Sequence, residues 1–144
     1  MKMMRIDESI KICFTKFNVI AGRATRSEFW WFTLFTGLVN IIVRTADGNI
    51  DADMMTMGTL ETLWFLIIIL PSISVFIRRL HDLSLSAWNL TYLIIAVFVG
   101  LVMLELPPWD TLGAVIVLLS VIFYIYVLFA IGHEKDNDYG PNPY

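Results

Sequence analysis

The sequence predicts an all-α integral membrane protein, a bundle of four transmembrane helices preceded by an amphipathic helix in the interface, with both termini cytoplasmic. Three observations predict it. Residues of the AVILMFWYC set fill 58% of 144 positions and charged residues only 16%, against about 45–50% and about 25% in soluble domains. A soluble chain this small has a high surface-to-volume ratio and needs polar residues to cover it, so the composition excludes a soluble globular domain. It also argues against a disordered chain and against a nucleic-acid binder. Secondly, the apolar residues gather into four long runs, and Trp64–Ile77 and Leu112–Ile131 carry no charge on any face. The helices of a soluble bundle show a polar stripe. Thirdly, the basic residues segregate to one side of the predicted spans.

The chain reads as one membrane domain, residues 1–144. Its segment 1–28 is cytoplasmic and interfacial. Ile6, Ile10, Cys13, Phe14 and Phe17 recur at helical spacing, with Lys11 and Lys16 off the stripe, as in a short helix lying in the interface. Charges from Lys2 to Lys16 leave no unbroken apolar stretch before Phe29, so the N-terminus does not read as a cleavable signal. Gly22 permits a bend. Ser27 is the expected N-cap of the first span, and Glu28 suits the positive end of that helix.

A spanning helix needs about 20 residues. The first span is expected over 29–46, with Arg44 reaching outward to water. The acidic loop 45–61 follows, and Glu61 sits at the interface before the second span, 60–77. Pro71 inside that span predicts a kink, with Ser72 or Ser74 meeting a freed carbonyl. The third span covers 88–106. The short turn Pro107–Asp110 makes it an antiparallel neighbour of the fourth, 111–131. Ala96 and Gly100 form a small-xxx-small pair suited to close helix approach. The tail 132–144 is rich in Asn, Pro and Gly and reads as irregular and solvated. Trp30, Trp31, Trp64, Trp88 and Trp109 all fall at span ends, where the indole prefers the headgroup level.

Net charge is −3, with 10 Lys and Arg in all. Lys2, Arg5, Lys11, Lys16, Arg23, Arg26, Arg78, Arg79 and Lys135 share one predicted side, and only Arg44 lies on the other. The positive-inside rule places the nine in the cytoplasm.

Chemistry-bearing residues cluster in three places: Gly22–Trp31, the loop Arg78–Trp88, and the tail Gly132–Tyr144. The loop combines Ser84, Ser86, His81 and Asp82, yet a Gly-x-Ser-x-Gly elbow is absent and a triad needs specific geometry. Recognition of an anionic headgroup or a partner's carboxylates suits the loop better, with Asp82 paired to an arginine. His133, Glu134, Asp136 and Asp138 read as a solvated tail in preference to a metal set. The single cysteine, Cys13, allows neither an intramolecular disulfide nor a thiol cluster. Both histidines, His81 and His133, lie outside the spans, which argues against bis-histidine haem. No Asp, Glu, Lys, Arg or His falls at mid-bilayer depth, where ion and proton pathways use such groups. No cofactor is expected.

The stretch Gly22-Arg23-Ala24-Thr25-Arg26-Ser27-Glu28-Phe29-Trp30, the loop Arg78-Arg79-Leu80-His81-Asp82 and the tail Asn137-Asp138-Tyr139-Gly140-Pro141-Asn142-Pro143 resemble, in this order, the hallmarks of the bacterial inner-membrane family catalogued as domain of unknown function 805. The resemblance runs from about Ile10 onward. Two departures are visible: no glycine lies between Asp82 and Trp88, and Glu134-Lys135-Asp136 replace a glycine beside the tail motif. The resemblance implies a bacterial cytoplasmic-membrane location and adds no reaction. All three motifs fall on the predicted cytoplasmic face. There Arg23, Arg26 and Glu28 are expected to meet Arg78, Arg79, His81, Asp82, Asn137 and Tyr139 in one polar layer. The expected function is non-enzymatic: a structural protein, or one binding membrane lipids with anionic headgroups, a protein partner or further copies of itself. The alternatives are a subunit of a small transporter or channel oligomer, and a lipid-headgroup enzyme with His81 as base and Asp82 orienting it.

Overall fold

The computed structural model describes residues 4–49, 52 and 56–143. Its order is α1 (Ile6–Thr15), α2 (Arg26–Ala46), α3 (Thr59–Asp82), α4 (Trp88–Leu104) and α5 (Asp110–Phe129). The helices α2, α3 and α5 are long and apolar enough to cross a membrane, and α4 is a shorter apolar helix. At 17 residues α4 is about 26 Å long. It stops at Leu104, and the chain then turns through Leu106 and Trp109, whose N–H donates to Leu106 O at 2.8 Å.

Side chains cap the starts of α2 and α3. The N-cap of α2 is Thr25, not the expected Ser27. Thr25 has extended backbone, and its hydroxyl accepts from Glu28 N–H at 3.1 Å. Ser27 already lies inside the first turn, with Oγ 3.2 Å from Met4 N and 3.1 Å from Thr25 Oγ1. At the far end of α2, Asp47 caps α3 by accepting from Leu60 N–H at 3.2 Å and Glu61 N–H at 2.8 Å. A side chain at Gly58 would occupy the Asp47 carboxyl's place. Arg44, in the last turn of α2, pairs with Glu61 at 3.0 Å and donates to Ala52 O at 2.7 Å.

Helix α3 continues unbroken through Pro71. Ser74 does not serve a carbonyl freed by the proline. Its Oγ lies 2.7 Å from both Lys16 O and Val19 O, in the segment after α1. Helix α5 ends two residues early because Ala130 turns to extended backbone, which directs its carbonyl to Arg79.

The expected interfacial helix exists as α1, but it packs against α2 and α3. The face carrying Ser9 and Cys13 is buried, and Phe14 meets Phe32 and Phe35 edge-on at 5.8 and 6.4 Å. Helices α2 and α3 form one antiparallel hairpin and α4 and α5 a second. The second closes where two glycines meet. Gly100 of the small-residue pair faces Gly113, and a side-chain carbon on Gly113 would come within 2.7 Å of Gly100 O. The core, Cys13, Ala24, Phe29, Phe32, Val75, Phe76, Leu80 and Val127, gathers near the end of the bundle that carries Arg23 and Arg79, called here the basic end. Phe29, Phe76 and Tyr124 form a ring cluster there, with Phe76 and Tyr124 stacked at 5.9 Å.

Gly113→Ala will destabilise the protein by about 1–3 kcal/mol through overpacking of the α4–α5 crossing. Gly37→Ala, which meets nothing within 4 Å, will be neutral or stabilising by up to about 1 kcal/mol. Reversible unfolding in mixed micelles compares the two.

Candidate functional site

The site is built on the last turns of α3. Successive helix residues point about 100° apart, so Arg78 and Arg79 face different neighbours. Arg79 faces α5. It donates to Asp82 Oδ2 at 2.5 Å, to Val127 O at 3.0 Å and to Ala130 O at 2.5 Å. A cation at this place suits the negative end of α5 and satisfies carbonyls that its helix leaves without partners. Arg78 faces α1 and α2, and its Nη1 donates to Glu28 Oε1 at 2.5 Å.

Asp82 is the centre. Its carboxylate is fully buried and receives a second guanidinium from before α2. Arg23 Nε and Nη2 lie 3.0 and 2.9 Å from Oδ1. Arg23 also donates to Lys135 O at 2.8 Å and to His133 O at 2.5 Å. The tail returns the contact, His133 N–H donating to Asp82 O at 2.9 Å. The tail is therefore more than a solvated end. The side chains of His133–Asp136 are exposed as expected, but its backbone is anchored.

Three buried guanidiniums, of Arg23, Arg78 and Arg79, thus face two buried carboxylates, Glu28 and Asp82. Arg78 has Glu28 to itself, although its Nε and Nη2 have no hydrogen-bond partner among the described residues, and the excess positive charge belongs to Arg23 and Arg79, which share Asp82. Ser9 Oγ donates to Glu28 O at 2.6 Å, and Cys13 Sγ lies 3.9 Å from Glu28 Oε1. Burial first, and then the Glu28 carboxylate, push the Cys13 thiol up to about 12. It stays protonated at neutral pH and is a poor nucleophile.

His81 stacks on Tyr139 at 4.0 Å, the rings nearly parallel, and its Nδ1 lies 3.1 Å from Gly22 O. Asn137 Nδ2 donates to His81 O at 2.8 Å and to Ser84 Oγ at 3.1 Å. The end of α3 is closed by Ser84 N–H on His81 O and Leu85 N–H on Leu80 O, at 3.0 and 2.9 Å. This closure needs a left-handed residue after the helix, the position glycine favours. Ser84 takes it with φ 60°, a conformation that a non-glycine residue adopts at some cost. The ring of His81 is engaged with Gly22 and Tyr139, Asp82 with two arginines and Ser84 with Asn137. The loop is not set as nucleophile, base and orienter.

The structure therefore brings Arg23, Glu28, Arg78, Arg79, His81, Asp82, Asn137 and Tyr139 together. Arg26 is exposed at the rim and donates to Phe129 O at 3.3 Å. Sequence reasoning missed Ser9 and Cys13, which the i, i+4 spacing on α1 places on one face, and the carbonyls of Val127, Ala130, His133 and Lys135, which have no side-chain signature.

Buried ion pairs at the meeting of apolar helices define a polytopic helical membrane protein whose polar groups are turned inward at one end. The comparisons assign the particular family. The profile described as "Protein of unknown function (DUF805)" matches residues 17–141, and the chain belongs to that family. It is 35% identical over 75 residues to inner membrane protein YhaI of Escherichia coli strain K12, covering 51% of this chain and 61% of the relative. To inner membrane protein YhaH of the same strain it is 39% identical over 72 residues, covering 46% of this chain and 56% of the relative. The matches thus span less than two thirds of either relative. No solved structure matches.

Asp82→Asn removes the only carboxylate between Arg23 and Arg79 and will cost about 3–5 kcal/mol, whereas Arg26→Gln at the rim will change stability by no more than about 0.5 kcal/mol.

Proposed function

We propose that this inner-membrane protein crosses the bilayer four times with both termini in the cytoplasm, and that it is a non-enzymatic protein acting through the rim of its cytoplasmic face on anionic lipid headgroups or a protein partner. The observation that carries the non-enzymatic reading is the full burial of Asp82 between Arg23 and Arg79. The groups best suited to acid–base work are already engaged in joining α3, α5, the segment before α2 and the tail.

The fourth span is supported by chain logic. Helices α3 and α5 are both of spanning length, and both end at the polar layer, where Arg79 bonds Val127 and Ala130. The chain between them has to cross back, and α4 runs antiparallel along α5. The orientation is supported by the excess of basic residues at the end bearing the polar layer. The inner-membrane relatives support the location.

Cysteine accessibility tests the topology. In a Cys13→Ser background, a membrane-impermeant thiol reagent added to intact cells will label Asp110→Cys and spare Lys135→Cys. The reverse pattern would sink the orientation. A His81→Phe strain will keep its phenotype while Asp82→Ala loses it together with the folded protein. Loss of the phenotype in His81→Phe at normal protein level would instead favour catalysis.

A further inference from the structure

The segment between α1 and α2 is non-helical, yet it runs alongside a spanning helix. Lys16 O and Val19 O both lie 2.7 Å from Ser74 Oγ. The segment then returns to the basic end, where Gly22 O meets His81 Nδ1 and Ala24 N–H donates to Arg78 O at 2.9 Å. Ser74 lies four positions before Arg78 and eight before Asp82 on α3, so the tip of this segment lies about 6–12 Å from the charged residues of the polar layer, toward the middle of the bundle. Gly22, at φ 87°, allows the return.

The side chains at that tip point away from the protein. Phe17, Val19 and Ile20 are 43%, 40% and 52% exposed, and the flanking Lys11 and Lys16 are exposed as well. An irregular backbone at membrane depth is tolerated only where its polar groups find partners; the Ser74 hydroxyl shares its one proton between the Lys16 and Val19 carbonyls, and Val19 N–H donates to Lys16 O at 3.0 Å. Apolar side chains about 6–12 Å below a charged layer, with lysines beside them, match the depth at which interfacial segments bury their apolar face.

We infer that Lys16–Ala21 is a re-entrant wedge inserted into the cytoplasmic leaflet. Phe17, Val19 and Ile20 lie among the acyl chains, and Lys11 and Lys16 hold the phosphates of anionic phospholipids. The lipid leaflet is the occupant because the depth, the apolar side chains of Phe17, Val19 and Ile20 and the positive flanks all complement it, with exposed Asn18 the polar side chain among them. The inference deepens the lipid-binding part of the proposed function and rests on its cytoplasmic placement of the N-terminal segment.

The test uses the full chain, with Cys13→Ser and Ile20→Cys, in nanodiscs of mixed phosphatidylcholine and phosphatidylglycerol. A fluorophore at Ile20→Cys will be quenched by lipids carrying a nitroxide in the upper acyl chain and protected from aqueous iodide. One at Lys135→Cys will show the opposite. Val19→Cys repeats the measurement should Ile20→Cys fail to fold. Iodide quenching at position 20 equal to that at 135 overturns the wedge. In Lys11→Gln with Lys16→Gln, the preference for spin-labelled phosphatidylglycerol over phosphatidylcholine will fall about fivefold per lysine. An unchanged preference overturns the headgroup assignment. Labelling of Lys135→Cys from outside intact cells would overturn the cytoplasmic leaflet and leave the measured depth standing, so the two readings fail separately.

Discussion

The Asp82 carboxylate, held between Arg23 and Arg79 with no exposure to solvent, is the interaction on which the rest of the structure depends. A carboxylate in an apolar setting is stable only when paired and fully hydrogen-bonded. Two guanidiniums meet that demand and still have N–H groups to place. Those remaining donors reach Val127, Ala130, His133 and Lys135. One buried anion therefore organises the end of α3, the end of α5, the segment before α2 and the tail. The desolvation cost of such a cluster offsets much of its attraction, and what it contributes above all is a unique arrangement of segments.

This matters more in a membrane than in water. Lipid chains are as apolar as leucine, so helices gain little by leaving them for one another. Association then rests on polar contacts and close packing. The first hairpin is held at both ends, by the polar layer and by Arg44–Glu61 with Asp47 capping α3. The second is closed by Gly100 against Gly113. The two hairpins are joined at the basic end, by Arg79 and Arg26 on the last carbonyls of α5 and by the ring cluster of Phe29, Phe76 and Tyr124 beneath them. Arg78 and Glu28 extend the same logic to α1, which is drawn from the interface onto the bundle by Ser9 and Cys13. The charged groups are turned inward, which leaves the rim and the segment after α1 facing the surroundings.

The apolar helices were legible because run length and the absence of charge report burial in lipid directly, and α1 because its apolar residues recur at helical spacing. The details that failed were those decided by backbone direction or by a distant partner. Thr25 caps α2 in place of Ser27 because its backbone is extended. Ser74 serves the segment after α1, and no pattern around Pro71 announces that. The pairing of Arg44 with Glu61 has no local signal, since the two lie 17 positions apart. Gly100 was visible as one half of a small-residue pair, but its partner, Gly113, belongs to another helix. Of the polar layer, the charged members were readable from three motifs on one face. The carbonyls that complete it were not, since every residue has one.

By itself, then, the sequence determined the membrane character, the helices and the collection of charged groups at one end, because these follow from hydrophobicity summed along the chain. Tertiary structure alone decided who pairs with whom. It gave Arg78 to Glu28, shared Asp82 between Arg23 and Arg79, stacked His81 on Tyr139 and laid the segment after α1 against Ser74. The physical reason is range: transfer to lipid is additive and local, whereas a buried hydrogen bond requires two groups from distant positions to meet within about 3 Å.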